Sequence, residues 1–85
     1  MYIILVYDLK SKRTNKMHKK CSQYLHWKQN SVFEGEITKS KYKKLKNWIN
    51  NYVEDDETVL IYSIRTKDAL NIDMIGEDKD TKTIL

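Results

Sequence analysis

Asp8 is the first residue in this chain with the makings of a chemical site. It closes the apolar run Tyr2-Ile3-Ile4-Leu5-Val6-Tyr7 and stands as a lone carboxylate at the end of a strand. Groups at the carboxyl end of a strand in an open sheet face ligand and solvent. A carboxylate there suits Mg2+, which takes hard oxygen donors, keeps several waters and accepts substrate phosphate as a ligand. Such an ion makes a bound water more acidic and stabilises charge on a phosphate under attack. The competing reading is a cap on the turn into Leu9-Lys10, and position alone weighs the two equally. One carboxylate holds a metal poorly, but two copies of the chain meeting at a shared axis would supply two.

The run Gln29-Asn30-Ser31-Val32-Phe33-Glu34-Gly35-Glu36 is the second candidate. Phe33 has the face to stack on a nucleobase, and Ser31 the hydroxyl to bond a phosphate. Spacing favours the plainer alternative, a core Phe33 in a hairpin whose Gly35 relieves a crowded backbone. Charge is laid out unevenly. Between Leu9 and Lys46 there are twelve basic residues and two acidic ones, Glu34 and Glu36. Between Glu54 and Asp80 nine acidic residues face Arg65, Lys67 and Lys79. Lys10, Lys12, Arg13, Lys16, Lys19 and Lys20 are the residues placed to release counterions from a polyphosphate backbone. A merely solubilising lysine face explains the charge slightly better when charge is considered alone.

Other chemistries find no support. Two glycines, Gly35 and Gly76, cannot build a phosphate-cradling loop. His18 and His26 lack metalloprotease spacing, and nothing favours a Ser-His-Asp set. A single cysteine, Cys21, excludes an internal disulfide and a multi-cysteine zinc site.

The elements that must position these residues follow from periodicity. With 85 residues the chain has room for one domain, so small that a partner subunit is expected. The apolar start is too short for a signal peptide, and no run is long enough to span a bilayer. A cytoplasmic protein without membrane contact is the expectation. Residues 2–8 read as a strand with both faces apolar. Thr14 or Asn15 caps a helix whose buried stripe is Met17, Cys21, Tyr24 and Leu25. Two short strands, 26–29 and 31–37, turn at Asn30. Thr38 caps a second helix running to residue 52, with Tyr42, Leu45, Trp48, Ile49 and Tyr52 on its buried face. A charged connector leads to a strand at 58–65, again apolar on both faces. Residues 71–75 offer a short fifth strand. A domain at 1–76 and a charged tail at 77–85, tipped by Ile84-Leu85, complete the division. The order β-α-β-β-α-β is the α+β, ferredoxin-like arrangement with one strand added. Its helices cover one face of the sheet, so the second apolar face predicts a homodimer packed sheet to sheet.

Val6-Tyr7-Asp8 after an apolar strand, an early Arg13, and the run from Gln29 to Glu36 together resemble the small CRISPR-associated endoribonuclease, or spacer-acquisition, family. The similarity extends from Met1 to about Ile64. It implies a ferredoxin-like homodimer with a magnesium-dependent endonuclease activity on RNA or DNA. It also implies a place between integrase subunits on double-stranded DNA during spacer acquisition. On this resemblance Asp8 is the metal-binding carboxylate, Arg13 a phosphate contact, and Ser31 and Phe33 residues of the active cleft. Single-stranded RNA is the alternative substrate, and a related ribonuclease toxin or a non-catalytic scaffold the alternative role. Trp27 departs from an arginine that some members carry four residues before the hairpin serine, which removes one phosphate grip.

Overall fold

A computed structural model describes residues 1–79. Strand β1 (Tyr2–Asp8) leads through a 3-10 turn (Ser11–Arg13) into helix α1 (Thr14–Ser22). Strands β2 (His26–Gln29) and β3 (Val32–Glu36), helix α2 (Lys39–Tyr52) and strand β4 (Thr58–Ile64) follow. The sheet order is β2-β3-β1-β4, and every neighbouring pair is antiparallel. This is the expected ferredoxin-like α+β arrangement.

Strand β1 lies at the centre because β-branched and aromatic residues suit a pleated surface covered on its sides. Its alternation sorts the two faces. Ile3, Leu5 and Tyr7 point to the helices and are buried with Phe33, Met17, Cys21, Leu25, Leu45 and Ile49. Ile4 and Val6 point the other way and are half-buried, while Leu60 and Tyr62 of β4 are 50% and 58% exposed. Asp8 shares the parity of Ile4 and Val6 and is exposed. The helix-free face is therefore apolar and only partly covered within one chain: Tyr2 there is buried, with Lys67 Nζ 5.9 Å from its ring, while Leu60 and Tyr62 stay exposed.

Helix α2 begins as its sequence predicts, with the Thr38 hydroxyl accepting from the Lys41 N–H at 3.2 Å. Helix α1 begins differently. Its N-cap is Arg13, with no side-chain cap, and Thr14 is already helical, donating its hydroxyl to the Ser11 carbonyl at 3.0 Å. A preceding 3-10 turn supplies the nucleus that a cap would otherwise favour. Asn30 turns the hairpin at a φ of 42°, the left-handed region asparagine tolerates. Trp27 Nε1 fixes that turn by donating to the Asn30 carbonyl at 3.0 Å.

Two further expectations are corrected. Residues 71–75 form no strand, and Ile72, Met74 and Ile75 are exposed. Apolar content specifies a strand only where an edge is available in register, and this segment pairs with none of the four strands. Gly35 relieves no crowding, because a Cβ there would meet Leu25 and His26 at an ordinary 3.6 Å. Past the proposed domain boundary, Asp78 lies 3.8 Å from Lys28 Nζ. The apolar tip Ile84-Leu85 lies outside the described residues.

Candidate nucleic-acid interface

The loop after Asp8 is held by an ion pair between half-buried Arg13 and buried Glu57. Arg13 Nε donates to Glu57 Oε2 at 2.8 Å, Arg13 Nη1 lies 3.3 Å from Glu54, and Nη2 donates to the Tyr52 carbonyl. The guanidinium sits 4.2 Å from the centre of the Tyr52 ring, and the Tyr52 hydroxyl donates back to the Arg13 carbonyl at 2.7 Å. The Glu57 side chain is fully enclosed and also accepts from the Lys10 and Glu54 N–H groups at 3.0 and 2.9 Å. The Arg13 bond and those two backbone donors bring the Glu57 carboxyl down to about 2, against the cost of burial. Arg13, held by the same partner, shifts up. The resemblance makes Arg13 a phosphate contact. In the structure its fork is engaged within the chain, and its effect on a ligand passes through the loop it holds.

That loop presents Lys10 and Lys12, both exposed, directly after Asp8. Lys10 lies 3.6 Å from Glu54, an exposed pair worth little in water. Lys16 and Lys19 are exposed and Lys20 half-buried along α1. Asp8 itself pairs in register with Thr58. Among the described residues no group of three His, Cys, Asp or Glu side chains is assembled for a metal. The donor type still fits Mg2+, which binds through one or two carboxylates plus phosphate. A single chain contributes one of those carboxylates.

Ser31 is half-buried, with its carbonyl accepting from the Tyr7 N–H at 3.1 Å. It lines a shallow cleft of about 280 Å3 with Tyr7, Thr14, Asn15, His18 and Asn30. Phe33 does not reach that cleft. It is fully buried, with His18 edge-on at 5.0 Å and Tyr7 at 6.3 Å, so it offers no face to a base. The plainer core reading is the one the structure takes. Cys21 is likewise enclosed, and burial pushes its thiol up to about 12, which leaves it unreactive. Glu57, read in the sequence as one charge of a connector, was the organising residue missed. Its only signal was a carboxylate directly preceding a strand apolar on both faces.

The four-stranded antiparallel sheet with two helices on one face defines a ferredoxin-like α+β protein with a cationic loop beside a strand-end carboxylate. The profile described as CRISPR associated protein Cas2 matches residues 1–72, and the chain belongs to that family. The CRISPR-associated endoribonuclease Cas2 of Methanosarcina acetivorans is 38% identical over all of both chains. That of Thermococcus kodakarensis is 46% identical over 78% of this chain and 79% of its own. A crystal structure of Cas2 superposes with a TM-score of 0.85 at 42% identity, covering 93% of this chain and 90% of the other. Streptococcus pyogenes Cas2 shares the fold at a TM-score of 0.76 and 21% identity, covering 89% of this chain and all of the other. No helix among the described residues is long and apolar enough to cross a membrane.

Proposed function

We propose that the chain acts as a homodimeric, magnesium-dependent endonuclease of the CRISPR system, with Asp8 as its metal-binding carboxylate. The observation that carries this reading is the placement of Asp8. It is exposed at the open end of the central strand, on the helix-free apolar face, next to a rigidly held loop bearing Lys10 and Lys12. Relatives bearing the name endoribonuclease support the reaction class.

Packing two sheets through Ile4, Val6, Leu60 and Tyr62 would bring two Asp8 carboxylates toward one axis. Bound between them, magnesium would supply acidity to water and stabilise charge on a scissile phosphate. The chain's own contribution is positional. Asp8 holds the ion, Lys10 and Lys12 draw the backbone to it, and Glu57 with Arg13 keeps that loop in register. Ser31 stands in the neighbouring cleft as a hydroxyl donor to the same strand. Lys16, Lys19 and Lys20 continue the grip on phosphate along α1.

A second reading rests on the extent of positive charge, which exceeds what one scissile phosphate needs. In it the dimer holds double-stranded DNA between integrase subunits, which do the chemistry. Cleavage of labelled single-stranded RNA and duplex DNA in Mg2+ and in chelator, by wild type and Asp8→Asn, separates the two. Magnesium-dependent cleavage lost in the variant supports the nuclease. Cleavage equal in both proteins removes Asp8 from the reaction, and duplex binding without any cleavage favours the scaffold.

A further inference from the structure

Tyr7 is 5% exposed, yet its hydroxyl makes no hydrogen bond among the described residues. No fully enclosed polar side-chain atom of those residues lacks a partner, so this hydroxyl opens on the cleft of about 280 Å3 that Tyr7 lines. Burial, with a smaller push from Cys21, raises the phenol above its ordinary range and keeps it a donor. Asn15 and His18 line the same cleft from α1, and Asn30 and Ser31 from the turn between β2 and β3. None of these four side chains spends a hydrogen bond on another described residue. Thr14, the remaining lining residue, does, through the Ser11 carbonyl.

Two of these side chains are fixed without using their polar atoms. His18 is held edge-on to Phe33 at 5.0 Å and tilted against Trp27 at 6.1 Å, which leaves both ring nitrogens unpaired. Asn30 is held through its backbone, by its φ of 42° and by the Trp27 indole on its carbonyl, which leaves its carboxamide unpaired. Groups set in place by packing, with donors and acceptors left over, lose little freedom when a ligand arrives.

The lining selects the ligand. Among the described residues no lysine, arginine or carboxylate borders the cleft, so a phosphate finds no counter-charge there. Two carboxamides, two hydroxyls and an imidazole instead offer mixed donors and acceptors beside the rings of Tyr7 and His18. Asparagine matches the donor-acceptor edge of a base, and single strands are read through bases splayed onto rings and polar groups. The volume stands near the lower end for ligand sites, about 300 Å3, which suits one ring system rather than a stack. Tyr7 is the chain neighbour of Asp8, and the two point to opposite faces at one end of the sheet. A strand crossing that end presents a phosphate to one side and a base to the other.

We infer that this cleft is a nucleobase subsite, taking one unpaired base of the strand whose phosphate lies at Asp8, with Asn15, His18 and Asn30 reading its edge. The inference rests on the reading of the chain as a nuclease and adds to it a preference for particular bases at one position of the strand.

The test measures binding in chelator, by anisotropy of labelled single-stranded oligonucleotides: four homopolymers and an abasic chain of equal length and charge. Wild type is compared with Asn15→Ala combined with Asn30→Gly, which keeps the left-handed turn, and with His18→Phe, which keeps the ring contacts. Wild type is expected to bind at least one homopolymer on the order of tenfold more tightly than the abasic chain. Both variants lose that advantage, while abasic affinity and salt dependence stay as in wild type because no phosphate contact is removed. Equal wild-type affinity for the abasic chain and all four homopolymers overturns the inference. So does an advantage that survives in both variants, and so do mononucleotides that bind as tightly as the preferred homopolymer. A base advantage in wild type that cleaves nothing in Mg2+ removes the nuclease reading and leaves the subsite standing.

Discussion

Arg13 and Glu57 lie 44 residues apart in the chain and meet through a 2.8 Å bond from Nε to Oε2. The pair joins the loop after β1 to the connector before β4, and Glu57 also takes the Lys10 N–H. Asp8 and Thr58 are register partners, so the residues flanking them are brought side by side by the ladder itself. The pair then sets the shape of the loop that carries the basic residues nearest the carboxylate.

Replacing Glu57 by Gln should lower the melting midpoint, since the enclosed carboxylate that holds Arg13 and the Lys10 N–H loses its charge while Arg13 keeps only exposed Glu54 as a counter-charge. The pH dependence has a definite sign. The folded carboxyl stands at about 2 against an ordinary 4.5, so its stabilisation is present above 4.5 and is lost as pH falls toward 2. Thermal melts between those values should show a shallower acid loss in the variant than in wild type.

Asp8→Asn should abolish magnesium-dependent cleavage and leave the melting midpoint and dimerisation unchanged, because Asp8 is exposed and outside the core. Rates measured on preparations free of contaminating nuclease decide it. A residual rate within threefold of wild type would contradict the assignment.

If the proposed sheet-to-sheet dimer forms, Leu60→Glu combined with Tyr62→Glu should leave a folded monomer. Both side chains are about half exposed on the helix-free face, so a single chain tolerates the charges. Buried between two sheets they would be unpaired. Sedimentation at micromolar concentration reports the mass, and a dimer surviving both substitutions would place the interface elsewhere.

Phe33→Leu should reduce stability by about 1 to 3 kcal/mol through lost volume in a fully buried site. Nucleic-acid affinity should stay within about twofold. A large loss of affinity in a protein that still melts cooperatively would mean that Phe33 leaves the core to stack on a base.

Ring contacts across the helix pair make a further prediction. Trp48→Leu keeps an apolar residue on α2 but removes the surface under Lys20 and the partner of Tyr52. Duplex affinity should fall severalfold with the salt slope nearly unchanged, since the number of charges is the same. Anisotropy titrations at two salt concentrations check both quantities.

Local pattern determined a good deal of this protein. The continuous apolar run before Asp8 specified a strand apolar on both faces. Met17 and Cys21 in α1 and Leu45 and Ile49 in α2 specified the buried helical faces, while Tyr24 and Leu25 of the first expected stripe fall past the end of α1; the order of elements along the chain specified the ferredoxin-like fold. Those signals are legible because each element's burial is encoded within a few turns or a few pleats of itself. The motif from Gln29 to Glu36 was legible as a resemblance but not as geometry. Spacing favoured a core Phe33 where the resemblance placed it in the cleft, and the folded chain turns it inward while Ser31 borders a cleft. Arg13 could have gripped phosphate or carboxylate equally well by type. What decided it was the antiparallel pairing of β1 with β4, which delivers Glu57 from 44 residues further along the chain. Residues 71–75 have the composition of a strand, yet pairing needs an edge that local composition does not encode. Sequence sets which faces must be buried, and tertiary register sets which charges meet when they are.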